Sequence, residues 1–175
     1  MRKRTVILLI LVLIVAALAV TAAMAFRTKP VLDPGGTHSI LFFTVWKDGP
    51  DLSKSRVNFG ANQEQATAFF DALADHERKL STERLGSWLM RQALPVQYRF
   101  MEPELPAWLE VNVVLWDEDT QRFHDLLLGD GHAQLRAGDA YDPPYYEIDG
   151  AEELYTDLMD ALQIDYIRTH DWTQP

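Results

Sequence analysis

Hydrophobic positions along this chain follow three different rhythms, and each rhythm predicts a different element. From Thr5 to Phe26 they are continuous, almost entirely Val, Ile, Leu and Ala, with no charge and no polar face. As a helix, the 21 residues from Val6 to Phe26 rise about 31 Å at roughly 1.5 Å each, matching a hydrocarbon core of about 30 Å. A core helix of a soluble domain would carry a polar stripe, which this run lacks. The second rhythm is short and β-branched. Ser39 to Trp46 predicts a buried strand closed by turn residues from Lys47 to Pro50, and Arg56 to Phe59 predicts a short second strand.

The third rhythm has helical spacing. Asn62 with Gln65 three residues on is a capping-box pattern. Ala66, Phe69, Phe70, Leu73, Glu77 and Leu80 follow on one stripe, with Glu64, Asp71, Asp75, Arg78 and Lys79 facing outward. Residues 82–94, with Leu85, Trp88 and Leu89, predict a further helix ended by Pro95. Strands then return. Leu109, Val111, Val113 and Leu115 share one parity between Trp108 and Trp116, with Glu110 and Asn112 on the other. A hairpin loop at 117–121 leads into Arg122–Leu128, and a loop at 129–131 leads into His132–Ala137 with residue 128 facing 132. Tyr145 to Ile148 follows two prolines, which places it at an edge or a strand start. A second capping-box pattern, Asp149 with Glu152, launches a helix to about Gln163 on which Leu154, Leu158 and Leu162 stack.

The order of elements predicts an α+β domain: an antiparallel sheet of four to five strands packed by two or three helices, behind one N-terminal transmembrane or signal helix. Residues 1–26 form the membrane-targeting segment, 27–37 a linker rich in Pro and Gly, and 38–175 the domain. Order of elements, together with the segment Pro144 to Ile148 followed by Glu153, Leu154 and Tyr155, resembles small membrane-anchored extracytoplasmic domains of unknown function from Gram-positive bacteria. The resemblance implies an anchored domain and carries no activity.

Charge sharpens the picture of location. Arg2, Lys3 and Arg4 precede the apolar run, which favours a cytoplasmic N-terminus and a C-terminal domain outside, although Arg27 and Lys29 reduce the asymmetry. The expected site is the cell membrane, crossed once through residues 6–26. Ala23-Met24-Ala25 also fits a signal-peptidase site, and cleavage after Ala25 would release a secreted domain. All 26 acidic residues lie after Pro30 against 11 basic ones there, so residues 31–175 carry −15. A surface that negative repels phosphate backbones, and no nucleic-acid partner is expected. The absence of cysteine excludes disulfides, thiol nucleophiles and an N-terminal lipid-modified cysteine.

Candidate chemistry is sparse. The acidic loop offers hard oxygen ligands, with Asp117 and Asp119 the metal candidates, but it lacks the EF-hand Gly and terminal Glu. Ordinary turn chemistry accounts for it, and no metal or other cofactor is expected. His38, His76, His124, His132 and His170 form no paired motif; with 128 opposite 132, His124 faces Arg136, so no zinc site converges. Gly86, Ser87 and Trp88 do not make a nucleophile elbow. Carboxylate pairs such as Glu110 with Glu147 are too numerous to be informative. Aromatics suggest instead a binding platform of Tyr141, Tyr145, Tyr146 and Trp116, with Trp108 near. Three roles follow as expectations. The first is a non-catalytic accessory or binding domain for an envelope protein or wall polymer. The second is an exported carboxylate-dependent hydrolase acting on cell-wall material, and the third an acidic inhibitor or immunity-like protein.

Overall fold

A computed structural model describes residues 2–46, 56–81, 105–129, 131–137 and 145–164. The continuous apolar run forms α1 (Arg2–Ala25). Its Thr5–Ala25 portion spans 21 residues at a mean hydropathy of 3.2, and none of it is buried against the rest of the chain. It is long and apolar enough to cross a membrane or to act as a signal sequence.

The remainder is α+β, built on one antiparallel sheet of eight strands rather than four or five. The strands are β1 (Lys29–Pro30), β2 (His38–Trp46), β3 (Arg56–Phe59), β4 (Glu77–Leu80), β5 (Val111–Asp117), β6 (Arg122–Gly129), β7 (His132–Ala137) and β8 (Tyr145–Ile148). Their order across the sheet is β1-β4-β8-β7-β6-β5-β2-β3. Two helices, α2 (Gln63–Ala74) and α3 (Ala151–Leu162), pack on each other, and α3 lies on β6 and β7.

Parity along β5 decides which face meets the helices. Val111, Val113 and Leu115 are fully buried while Asn112, Val114 and Trp116 between them are half-buried. The buried set joins Phe43, Leu126, Leu128, Leu135 and Ile148 from neighbouring strands with Phe69, Leu73, Leu154, Leu158 and Leu162 from the helices in one core. A smaller cluster of Trp46, Leu109 and Leu127 lies apart from it, with Trp108 and Tyr145 against it.

Several sequence expectations change. The helix opened by Asn62 stops at Ala74 instead of continuing to Leu80, because Asp75 caps it and residues 77–80 pair with β8. Arg78 is therefore not outward: its guanidinium lies 4.6 Å from the Tyr146 ring centre. β8 is no edge strand, since β4 and β7 flank it; the prolines before it mark its start. The α3 N-cap is Gly150 at positive φ with no side-chain cap, and Asp149 binds Lys79 at 3.0 Å instead. Gly129 pairs with His132, one residue away from the expected pairing of 128 with 132. That shift of one residue puts Asp125, not His124, opposite Arg136. Residues 27–37 are more than a linker. Lys29 and Pro30 pair with β4, Val31 is 1% exposed, and the Thr37 N–H donates to Asp119 at 2.8 Å. The helix expected at 82–94 lies outside the described residues.

Candidate functional site

Inward parity runs one residue further along β5 than its apolar residues do, and so brings a carboxylate into the interior. Asp117 follows Leu115 on the helix-facing side, and its side chain is 10% exposed. His124 on β6 continues the parity of Leu126 and Leu128, and His38 opens β2 directly opposite Asp117. Asp117 Oδ2 lies 3.5 Å from His124 Nε2 and 3.8 Å from His38 Nε2. The other oxygen, Oδ1, accepts from the Asp119 and Thr120 N–H groups at 2.9 and 3.0 Å, closing the hairpin loop 118–121.

The electrostatics follow from this packing. Burial pushes the Asp117 carboxyl up, but hydrogen bonds from Thr120, His124 and Asp119 outweigh it and hold it at about 2. Burial lowers the His124 pKa, as do Arg78 and His38, while its bond to Asp117 works against them. Arg78 is likewise lowered by burial, opposed by Tyr146 and by Asp33. Polar side chains thus form a continuous series from Asp33 through Arg78 and His124 to Asp117 and His38. Arg78 Nε and Nη1 and His124 Nδ1 are buried without a hydrogen-bond partner. His124 is a base held by a carboxylate. Its remaining ring nitrogen, Nδ1, is buried.

Beside this cluster lies a cleft of about 540 Å³ between the segment 30–38 and α2. Its walls are Pro30, Val31, Leu32, Pro34, Phe70, Leu73 and Ala74, and its polar groups are Asp33, Thr37 and His38. Apolar residues outnumber polar ones in this lining, although both kinds contribute comparable exposed surface. The segment is pinned from several sides. Val31 N–H donates to His76 O at 3.3 Å, Glu118 N–H donates to Thr37 O at 3.0 Å, and Asp33 O accepts from Gly36 N–H. Gly36 lies against the His38 ring so closely that an added Cβ would come 2.6 Å from Cε1.

The residues expected to bind are not brought together as one platform. Tyr145 and Tyr146 are successive strand residues on opposite faces. Tyr146 packs on the main core with Arg78, whereas Tyr145 packs with the smaller cluster and binds Arg136. Trp116 tilts against Phe123, ring centres 4.7 Å apart. Tyr141 lies outside the described residues. The metal candidates point apart: Asp117 towards the histidines, Asp119 Oδ2 towards Thr37 N–H. Among the described residues no group of three or more His, Asp or Glu could hold a metal ion. Glu110 binds Tyr155 and Glu147 accepts from Ser81 at 2.8 Å, so that carboxylate pair is divided between separate partners.

The cluster at Asp117 was within reach of the sequence. Extending the parity of Leu109 to Leu115 by one step, and that of Leu126 and Leu128 back to His124, puts both residues inside. Nothing in the sequence placed His38 with them, since that contact depends on which strand β5 chooses as a neighbour. No protein-family model, curated protein or solved structure matches the chain.

Proposed function

We propose that this chain is a membrane-anchored, non-catalytic binding domain displayed on the outer side of the membrane, whose cleft takes a small group with both apolar and polar parts from an envelope component. The observation that carries this reading is the cleft itself: an apolar wall with Asp33, Thr37 and His38 as its polar contacts. Anchoring by α1 with Arg2, Lys3 and Arg4 left inside follows the distribution of positive charge. The hydrolase alternative has less behind it, because among the described residues the carboxylate that faces His38 and His124 already serves the hairpin turn, and the second nitrogen of His124 is buried. Photo-crosslinking on intact cells tests the proposal. A photoreactive residue at Ala74, on the exposed rim of the cleft, is expected to give a discrete adduct that Thr37→Trp suppresses. The same group at Asp157, on the solvent face of α3, is expected to give none. Adducts from Asp157 but not Ala74 would move the binding role elsewhere, and turnover of purified wall polymer by the intact protein would replace binding with hydrolysis.

A further inference from the structure

Five large apolar side chains outside α1 are exposed among the described residues: Phe26 just after the helix, and Leu41, Phe42, Leu105 and Phe123. Strand register gathers three of them at one corner of the sheet. Phe42 pairs with Val114, Trp116 pairs with Phe123, and Leu41 is the extra residue of a bulge between Ile40 and Phe42. Phe42, Val114, Trp116 and Phe123 therefore sit on the face turned away from α2 and α3, with Phe123 48% and Phe42 41% exposed. The next residues on that face are Asp125 and Arg136, joined as an ion pair, which bounds the patch on one side.

We infer that this corner rests on the lipid surface of the membrane that holds α1, an inference that depends on α1 being a retained anchor. The connection is short. Only residues 26–28 separate α1 from Lys29, so the sheet begins within about 14 Å of the helix end at roughly 3.5 Å per residue. From β1 to β6 is four strand spacings, about 20 Å at roughly 4.8 Å each. A domain held that close meets the bilayer continually, so a patch too small to recruit a soluble protein is enough to orient this one. Its composition suits the interface: Trp and Phe sit at headgroup depth, and a bulged strand turns Leu41 outward beside them. Adjacent charge sets the lipid preference. The hairpin tip next to Trp116 and Phe123 carries Glu118 and Asp119 against one exposed cation, Arg122, and is net negative, so the contact favours zwitterionic over anionic headgroups.

The chain has no cysteine, which makes a single-label experiment direct. Full-length protein carrying Ser39→Cys, beside Trp116, or Asp157→Cys, on α3, is labelled with an environment-sensitive fluorophore. It is then reconstituted in phosphatidylcholine vesicles containing a lipid with a nitroxide at headgroup depth. The label at 39 is expected to lose most of its emission and the label at 157 little. Phe123→Ser, alone or with Phe42→Ser, is expected to restore emission at 39 while the protein stays in the vesicles, and added phosphatidylglycerol is expected to restore part of it. Equal quenching at both positions in a protein that resists alkaline carbonate would overturn the docked orientation and leave the anchor intact. Label-to-label energy transfer at 39 in place of lipid quenching would assign the patch to a second copy and also overturn it. A protein that carbonate strips from the vesicles would remove the anchor itself.

Discussion

Asp117 serves three elements at once. Its carboxylate closes the hairpin it begins and faces a histidine from each neighbouring strand. Because burial keeps His124 neutral below its ordinary pKa of 6.5, the unfolded chain takes up a proton there before the folded one does. That contribution to stability is complete above about pH 6.5 and is lost as pH falls through the lowered folded value. Asp117 adds a second, more acidic loss. Its carboxylate stabilises the fold fully above its unfolded value of 3.8, and the effect disappears as pH drops towards about 2. Denaturation of the micelle-held protein across this range is expected to show both declines, and His124→Gln is expected to remove the first while leaving the second. An unchanged profile in that variant would place the upper decline on another group. At this scale the sequence is legible as parity. His124 and Asp117 sit where alternation puts them, whereas the partner that depends on strand order, His38, does not announce itself.

Elements were most readable where a local interaction and the tertiary structure agree. The Asn62 capping box forms as the sequence predicts, with reciprocal bonds of 2.9 Å, and Gln65 also donates through Nε2 to Leu162 O at the end of α3. Where they disagree, the tertiary structure prevails. Leu80 continues the α2 stripe by spacing, yet β8 offers residues 77–80 ladder bonds that another helical turn could not supply. At α3 a glycine at φ +70 occupies the cap, so Asp149 is left to bind Lys79 instead. These differences rank two substitutions. Asn62→Ala removes one cap and is expected to cost about 1 kcal/mol. Gly129→Ala is expected to cost more, about 3 kcal/mol. Gly129 has φ +155, and an added Cβ would fall 2.2 Å from Trp108 O and 2.8 Å from Glu110 N, both of them backbone atoms. Urea denaturation midpoints of the two variants check the order; equal losses would mean that the 108–110 backbone shifts freely.

For the whole molecule, composition and hydropathy divided the chain into an apolar helix and an acidic domain, but they undercounted the sheet. Its shortest strands are the reason. β1 has only two residues and β4 only four disguised by helical spacing, so neither carries enough alternation to be recognised alone, whereas the equally short β3 was expected at Arg56–Phe59 but not counted into the sheet. The −15 charge after Pro30 and the uncharged run Thr5–Ala25 before it lead to one expectation about the protein as a unit. It should stay with membranes through alkaline carbonate and retain Met1 to Ala25, as mass spectrometry of its N-terminus would report. A mature chain starting at Phe26 would instead mean export and release.

β1 also gives the molecule a mechanical weak point. The two residues that follow the tether are the outermost rung of an eight-strand ladder, and Pro30, lacking an N–H, can give that rung little grip. Were α1 held in a membrane, tension through it would arrive there before it reached any longer strand, and would peel Lys29 and Pro30 from Arg78 and Glu77 one pair at a time. The peptide next in line is one wall of the cleft. A tug on the anchor would therefore unlatch the pocket while the core beneath it stays closed.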